Sequence, residues 1–265
     1  MNLNDPFFEL KNNQKERWST FFILENVTIH PADFLAKFAK VHSNQKVLDV
    51  ACGTGIVALT ASRTGAEVSG IDLSPTLVER AIENAKIAQA SVNFCVGDVE
   101  YLPYENDYFD VVLSQFGHMF APRSQVAIKE MLRVLKPNGV LAFSTWPPEM
   151  FSGQSFKLFA RYMPPPPEGI LPATLWGEPE IISERLGDQV KDIMFDRRIN
   201  RTSYLSVKHA RTLFEKTLPT FFRKLSTTDP KKYNEFITEY ENLFSSYMQG
   251  NTLEQHFLMT RARKI

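Results

Sequence analysis

The sequence predicts an α/β protein built on a mostly parallel sheet with helices on both faces. Three observations carry that expectation. Between residues 43 and 146, apolar β-prone runs alternate five times with helix-patterned segments through short connections, the rhythm of parallel strands joined by crossover helices. The polar residues that interrupt those runs, Asp72, Asp98, Ser114 and Thr145, fall at strand C-terminal ends, where open α/β sheets bind ligands. The first run, Val47-Leu48-Asp49-Val50-Ala51-Cys52-Gly53-Thr54-Gly55, stops abruptly in two glycines before a helix-like pattern begins.

Taken in order, residues 1–42 read as an N-terminal helical cap. Phe21, Phe22, Ile23 and Leu24 cluster, and Phe34, Leu35 and Phe38 recur at helical spacing. His30-Pro31 marks a break between two helices. Trp18 reads as a core residue or as a cap over a pocket at the mouth of the next strand. Residues 43–146 form the ligand-binding core. Val47–Val50 is the first strand, residues 55–64 a helix ended by Gly65, and Glu67–Asp72 a strand ending in a carboxylate. Ser74 is a good N-cap with Pro75 at the first helical position. The helix over 76–89 carries Leu77, Ala81, Ala85 and Ala88 on one stripe. Val92–Val96 and Phe109–Ser114 are the third and fourth strands. A helix from Pro122 to Leu135 stops at Lys136-Pro137-Asn138-Gly139, and Val140–Trp146 is the fifth strand.

Residues 147–189 break the rhythm. Pro147-Pro148 and the run Pro164–Pro167 exclude helix interior and central strand. A long connection after a ligand-side strand reads as a lid, with a surface loop as the plain alternative. Residues 190–265 complete the sheet: a sixth strand over 189–200, helices over 206–225 and 231–248, and a last strand over 254–263 antiparallel to the one near 195.

Composition narrows the function. The chain is 43% hydrophobic, and its 30 Lys and Arg equal its 30 Asp and Glu, so no basic face for nucleic acid is demanded. Two cysteines, Cys52 and Cys95, sit at or in core strands, which suggests no disulfide and fits a reducing cytoplasm. Among the five histidines no pair has metal-ligand spacing, so no structural metal is expected. Met1–Leu10 lacks a basic segment followed by an apolar one, the mark of a signal peptide. No apolar run approaches the length that spans a bilayer.

The glycine turn lets backbone approach a ligand without an intervening Cβ, and the helix behind it offers free N–H groups. A nicotinamide-binding fold competes for the same glycines and also expects an acidic residue about 20 positions on. No Gly-Lys-Ser/Thr follows the turn, which excludes a P-loop. Gly97-Asp98-Val99 after the third strand and the Leu-Lys-Pro-Asn-Gly turn before the fifth are not required by the nicotinamide fingerprint.

With those segments and Phe109-Asp110-Val111-Val112-Leu113-Ser114, residues 40–146 resemble class I S-adenosylmethionine-dependent methyltransferases, in the small-molecule branch that includes the ubiquinone and menaquinone C-methyltransferases. The resemblance implies a Rossmann-like three-layer sandwich with a seven-stranded sheet whose last strand is antiparallel. It also implies roles. Gly53 and Gly55 would let the backbone approach the methionine part of the cofactor, and Asp49 and the Ala51 carbonyl would face its amino group. Asp72 would accept from both ribose hydroxyls, as an acceptor-only group can. Leu73 and Val99 would flank the adenine, and Asp98 would accept from its amine. Ser114 and Gln115 would lie near the methionine amine. Each carboxylate has a plainer reading: Asp49 bracing the glycine turn, Asp72 starting a helix, Asp98 forming a turn.

Methyl transfer from a sulfonium needs a base only where the acceptor must lose a proton. His118, just past the fourth strand, is the candidate, with a pocket-wall or structural histidine as the alternative. Ser114-Gln115-Phe116-Gly117 is unlike the Asn/Asp-Pro-Pro-aromatic segment of nucleic-acid amine methylases. With zero net charge and an aromatic-rich C-terminal half, this favours a small, partly apolar acceptor. A cofactor-binding module without catalysis is the alternative in another class. It is favoured if Trp146 or Trp176 fills the space beside Ser114 and His118.

Overall fold

A computed structural model describes residues 5–265; the first four residues of the expected N-terminal cap lie outside the described residues. After α1 (Phe8–Trp18) and α2 (Glu25–Phe38) the chain alternates β1 (Lys46–Val50), α3 (Ile56–Ser62), β2 (Glu67–Asp72), α4 (Pro75–Ala88), β3 (Val92–Val96), β4 (Phe109–Gln115), α5 (Ser124–Val134) and β5 (Leu135–Thr145). It then forms α6 (Phe151–Tyr162), α7 (Pro179–Leu186), β6 (Val190–Ser203), α8 (Val207–Glu215), α9 (Pro219–Thr228), α10 (Pro230–Tyr247), the two-residue β7 (Met248–Gln249) and β8 (Thr252–Lys264).

The sheet order is β3-β2-β1-β4-β5-β8-β6, with β7 paired to β8 alone. The first five strands are parallel, and β8 runs antiparallel to both β5 and β6. From β1 the crossovers through α3 and α4 move toward β3, and from β4 the crossover through α5 moves the other way. Right-handed crossovers therefore put α3 and α4 on one face and α5 on the other. β1 and β4 are buried along nearly their whole length because both faces are covered. The strand order reverses between β1 and β4, so the C-terminal ends of these two strands border the crevice where such sheets take ligands.

The structure corrects several boundaries. Pro31 does not break a helix; it lies inside α2. Proline has no N–H for the Val27 carbonyl one turn back, and that carbonyl instead accepts from Asn200 Nδ2 of β6 at 2.8 Å, deep in the interior. The N-terminal break falls at residues 19–24, a bend and a short 3₁₀ turn. Asn200→Leu is accordingly expected to lower stability by about 1–3 kcal/mol through the orphaned carbonyl, read as a drop in the urea midpoint; an unchanged midpoint would remove this account of Pro31. The helix expected over 206–225 is two, because Pro219 starts α9. β5 begins earlier than expected, at Leu135, and residues 136–139 bulge between the Phe109–Leu135 and Val111–Val140 pairs.

There are two hydrophobic cores. The main one gathers the sheet with Leu35, Met131, Leu132, Trp146 and Trp176. The second joins Phe151, Leu158 and Phe159 of α6 to Phe222, Phe236, Tyr240 and Phe244 of α9 and α10. Edge-to-face contacts such as Phe159–Phe236 at 5.1 Å organise it. The segment expected as a lid over 147–189 is thus partly helical, and its first helix belongs with the C-terminal helices.

Candidate active site

The site begins where β1 runs out. Ala51, Gly53 and Gly55 all take positive φ, at 52°, 55° and 82°. Around Gly53 a Cβ would meet nothing within 4 Å, whereas at Gly55 it would lie 2.7 Å from the Phe94 ring. Gly55 is therefore needed for packing, while Gly53 bounds open space.

Two carboxylates shape this turn. Asp49 Oδ2 accepts from the Ala58 amide at 3.0 Å in the first turns of α3. Its Oδ1 is buried with no partner. Asp72, at the end of β2, accepts from Gly53 N through Oδ2 and from Ser74 N through Oδ1, each at 2.8 Å. Burial pushes the Asp49 carboxyl well above the usual range, helped by the nearby Asp72 charge and opposed by the Ala58 amide. Burial also raises Asp72, and the amides of Ser74, Gly53 and Leu73 hold it back. The plain alternatives for both are thus partly real: Asp49 braces α3, and Asp72 binds the first amide of the turn into α4. When ionised, both are acceptor-only groups with lone pairs to spare.

The fourth-strand residues are placed differently from expectation. Ser114 Oγ donates to the Val50 carbonyl at 2.8 Å and accepts from His118 N at 3.2 Å, tying the ends of β1 and β4 together. Gln115 Nε2 donates to the Thr28 carbonyl of α2 at 2.8 Å, and its Oε1 is buried without a partner. Phe116, which sequence reasoning did not single out, has φ of 61°. That conformation is costly for a bulky residue and marks strain of the kind held at functional sites. Its ring stacks on Trp146 at 3.8 Å and meets Phe257 at 5.8 Å. These rings form an apolar wall beside the β4 end.

His118 lies in the core. Its side chain is fully buried, 4.5 Å from the Phe143 ring and 4.9 Å from Trp176, and neither ring nitrogen has a partner. Burial, with the Arg185 charge adding, pushes its pKa down to about 3. The ring packs among core side chains, as a structural histidine would. Asp107 and Asp110 pair with Lys264 and Lys136, away from the glycine turn.

Asp98 is also engaged elsewhere than expected. Its Oδ1 accepts from Glu100 N at 2.9 Å and its Oδ2 from Lys11 Nζ of α1 at 2.7 Å. Leu73 and Val99 are half-buried beside the carboxylates of their strand ends. Lys11 had no signal in the sequence: one cation in a polar helix, it matters only once α1 is docked.

Residues 48–143 match a family described as methyltransferase domain. A demethylmenaquinone methyltransferase of Deinococcus radiodurans is 36% identical over 132 residues, 48% of this chain and 54% of that protein. Over these residues the core is similar to methyltransferase domains. An uncharacterized protein of Mycobacterium tuberculosis is 34% identical over 166 residues, and the match covers 63% of this chain and 61% of that relative. The YcgJ protein of Bacillus subtilis shares the fold, with a TM-score of 0.62 at 18% identity over 89% of this chain and 98% of that one. The matched residues take in the glycine turn and nearly all of the five parallel strands; α6 and α8–α10 lie outside them. No helix among the described residues is long and apolar enough to cross a membrane.

The residues at the turn fit S-adenosylmethionine. The orphaned Asp49 Oδ1 is an acceptor awaiting a donor, the space at Gly53 is open, and Asp72 offers two oxygens at the neighbouring strand end. A cofactor with an ammonium group and a vicinal diol supplies donors for both carboxylates.

Proposed function

We propose that this protein is an enzyme that transfers a methyl group from S-adenosylmethionine to a small, partly apolar molecule. The observation that carries the reading is the grouping of the unpartnered Asp49 Oδ1, the open face of Gly53 and the Asp72 carboxylate around the ends of β1 and β2, beside the switch between β1 and β4. Asp72 would hold the ribose, Asp49 and the Ala51 carbonyl the amino group, and the turn at Gly53 and Gly55 the methionine backbone. Leu73 and Val99 would flank the adenine.

When bound, the cofactor supplies a methyl group already activated on sulfur, so the protein's own task is placement and exclusion of water. The stacked Phe116 and Trp146 rings, backed by Phe257, would form an apolar wall toward the acceptor. Displacement in line with the sulfur–methyl bond requires the acceptor atom on that side. His118 takes no part as a base, since its ring is walled off. Two free cysteines agree with a cytoplasmic place.

Calorimetric titration tests the cofactor. S-adenosylmethionine is expected to bind wild type with micromolar affinity and Asp72→Ala at least about 100-fold more weakly, since two charge-assisted hydrogen bonds are lost. Binding of NADH in its place would transfer the glycine turn to a nicotinamide enzyme, and binding of neither ligand would end the reading.

One observation favours a second reading. Trp176 fills the space beside His118, as a binding module without catalysis would allow. Consumption of S-adenosylmethionine with a panel of small phenols, quinols and amines separates the two: tight binding with no methylated product from any of them would favour the module.

A further inference from the structure

The N-terminal helix crosses the strand ends that hold the cofactor-binding residues. Its Lys15 carbonyl meets Ser74 Oγ at 3.4 Å, after β2. Lys11 meets Asp98, after β3. Gln14 donates to the Phe120 carbonyl and Trp18 packs on the Phe120 ring at 4.7 Å, after β4. Yet none of residues 8–18 belongs to either hydrophobic core. Polar contacts hold the helix, together with two aromatic pairs made by Trp18, on Phe120 and on Phe21.

The strongest of those contacts is a buried ionic cluster. Lys11 is 1% exposed, with its ammonium at 2.6 Å from Asp5 and Glu100 and 2.7 Å from Asp98. Arg123 joins Asp5 at 3.0 Å and Glu100 at 2.7 Å. Three carboxylates thus share two cations. Asp5 and Lys11 come from the N-terminal segment; Asp98, Glu100 and Arg123 come from the domain. Burial opposes the Lys11 charge, but hydrogen bonds from the three carboxylates outweigh it and raise its pKa. Removing the ammonium would leave three acids facing Arg123 alone, and breaking a buried pair on one side is far more costly than the pair is stabilising.

Resting on the methyltransferase reading, we propose that α1 is a gate over the cofactor cleft, latched by Lys11 onto the acids after β3. Asp98 is the point of competition. The carboxylate that would accept from the adenine is also the one that holds the helix, so cofactor passes in and out only when the latch lets go. Lys11 is a positioning residue in this scheme; it acts through Asp98 and the helix.

The test uses the full chain as wild type, Lys11→Met, Asp5→Asn and Lys11→Arg. Hydrogen exchange across residues 8–18 is expected to quicken about tenfold in Lys11→Met and Asp5→Asn and to stay near wild type in Lys11→Arg. Stopped-flow binding of S-adenosylmethionine, followed by the tryptophan signal to which Trp18 contributes, is expected to show association and dissociation both about fivefold faster in the first two variants, with Kd moving less than about threefold. Asp5→Asn leaves Asp98 untouched, so faster rates there come from the latch. Unchanged exchange would show that the cluster does not hold the helix. Faster exchange with unchanged binding rates, or a faster dissociation alone, would make α1 a wall of the site and no gate. Wild type that binds no S-adenosylmethionine would bring down the methyltransferase reading itself, a result distinct from binding with unaltered rates.

Discussion

Alanine at Gly53 is expected to leave the fold nearly intact and remove cofactor binding, whereas alanine at Gly55 is expected to cost both. The two residues sit two positions apart on one turn with positive φ, so an L-residue at either pays about 1–2 kcal/mol for the left-handed backbone. The difference lies in the surroundings. At Gly53 the new methyl enters open space that the cofactor would use. At Gly55 it would lie 2.7 Å from the Phe94 ring and 3.0 Å from the Ala81 side chain. Forcing a methyl into such packing adds about 1–3 kcal/mol, for a total of roughly 2–5 kcal/mol. Urea midpoints and S-adenosylmethionine titrations on both variants read the two effects apart. Equal stability of the two variants would contradict the packing described at Gly55, and full affinity in Gly53→Ala would show that the open face is not the cofactor's.

The second large effect is on acid stability, through His118. Its folded pKa is about 3 against an ordinary 6.5. The unfolded chain therefore takes up the proton first as pH falls, and protonation favours unfolding. The stability tied to the neutral ring is complete above pH 6.5 and drains away below it, by about 3 kcal/mol at pH 4. His118→Phe places an apolar ring between Phe143 and Trp176 and removes two unpartnered nitrogens. It is expected to flatten the fall in urea midpoint between pH 7 and pH 4 relative to wild type. Asp5, whose pKa is lowered by Lys11 after burial has raised it, loses its contribution only near and below pH 3.8, so the difference between the two proteins isolates the histidine. The same variant is expected to keep methyl-transfer activity; parallel pH curves, or an inactive but folded variant, would restore His118 as a base.

Much of the core was legible because local chemistry and tertiary environment agree there. β2 and β3 fall where their apolar runs predict, and α4 opens with Pro75 at its first position, although the Ser74 hydroxyl makes no cap bond and turns to the Lys15 carbonyl instead. Gly53, Asp49 and Asp72 could be singled out because turn, strand end and charge coincide. What was not legible depends on partners far away in the chain. Pro31 stays inside a helix only because Asn200 supplies the missing donor. Asp98 cannot be seen to hold Lys11, 87 positions away, from either neighbourhood. His118 lies three residues past the strand end, and whether its ring faces cleft or core is decided by Trp176 and Phe143. Phe116 carried a faint signal, an aromatic before glycine at a strand exit, but its strained backbone shows only in three dimensions.

The insertion of β8 between β5 and β6 has a consequence for biosynthesis. Among the described residues β6 has no hydrogen-bonded neighbour apart from β8, and about fifty residues, mostly helix and turn, separate the two strands in the chain. A nascent chain can assemble the parallel strands as they emerge, since each finds its partner through a short crossover. Everything past β5 must wait, with β6 unpaired and the β5 edge open, until residues 252–264 are made. Long-range pairing of this kind is slow and leaves edges prone to association. Chains halted by a stop codon near residue 250 would thus carry a finished glycine turn beside an unsealed sheet, and would be candidates for chaperone capture.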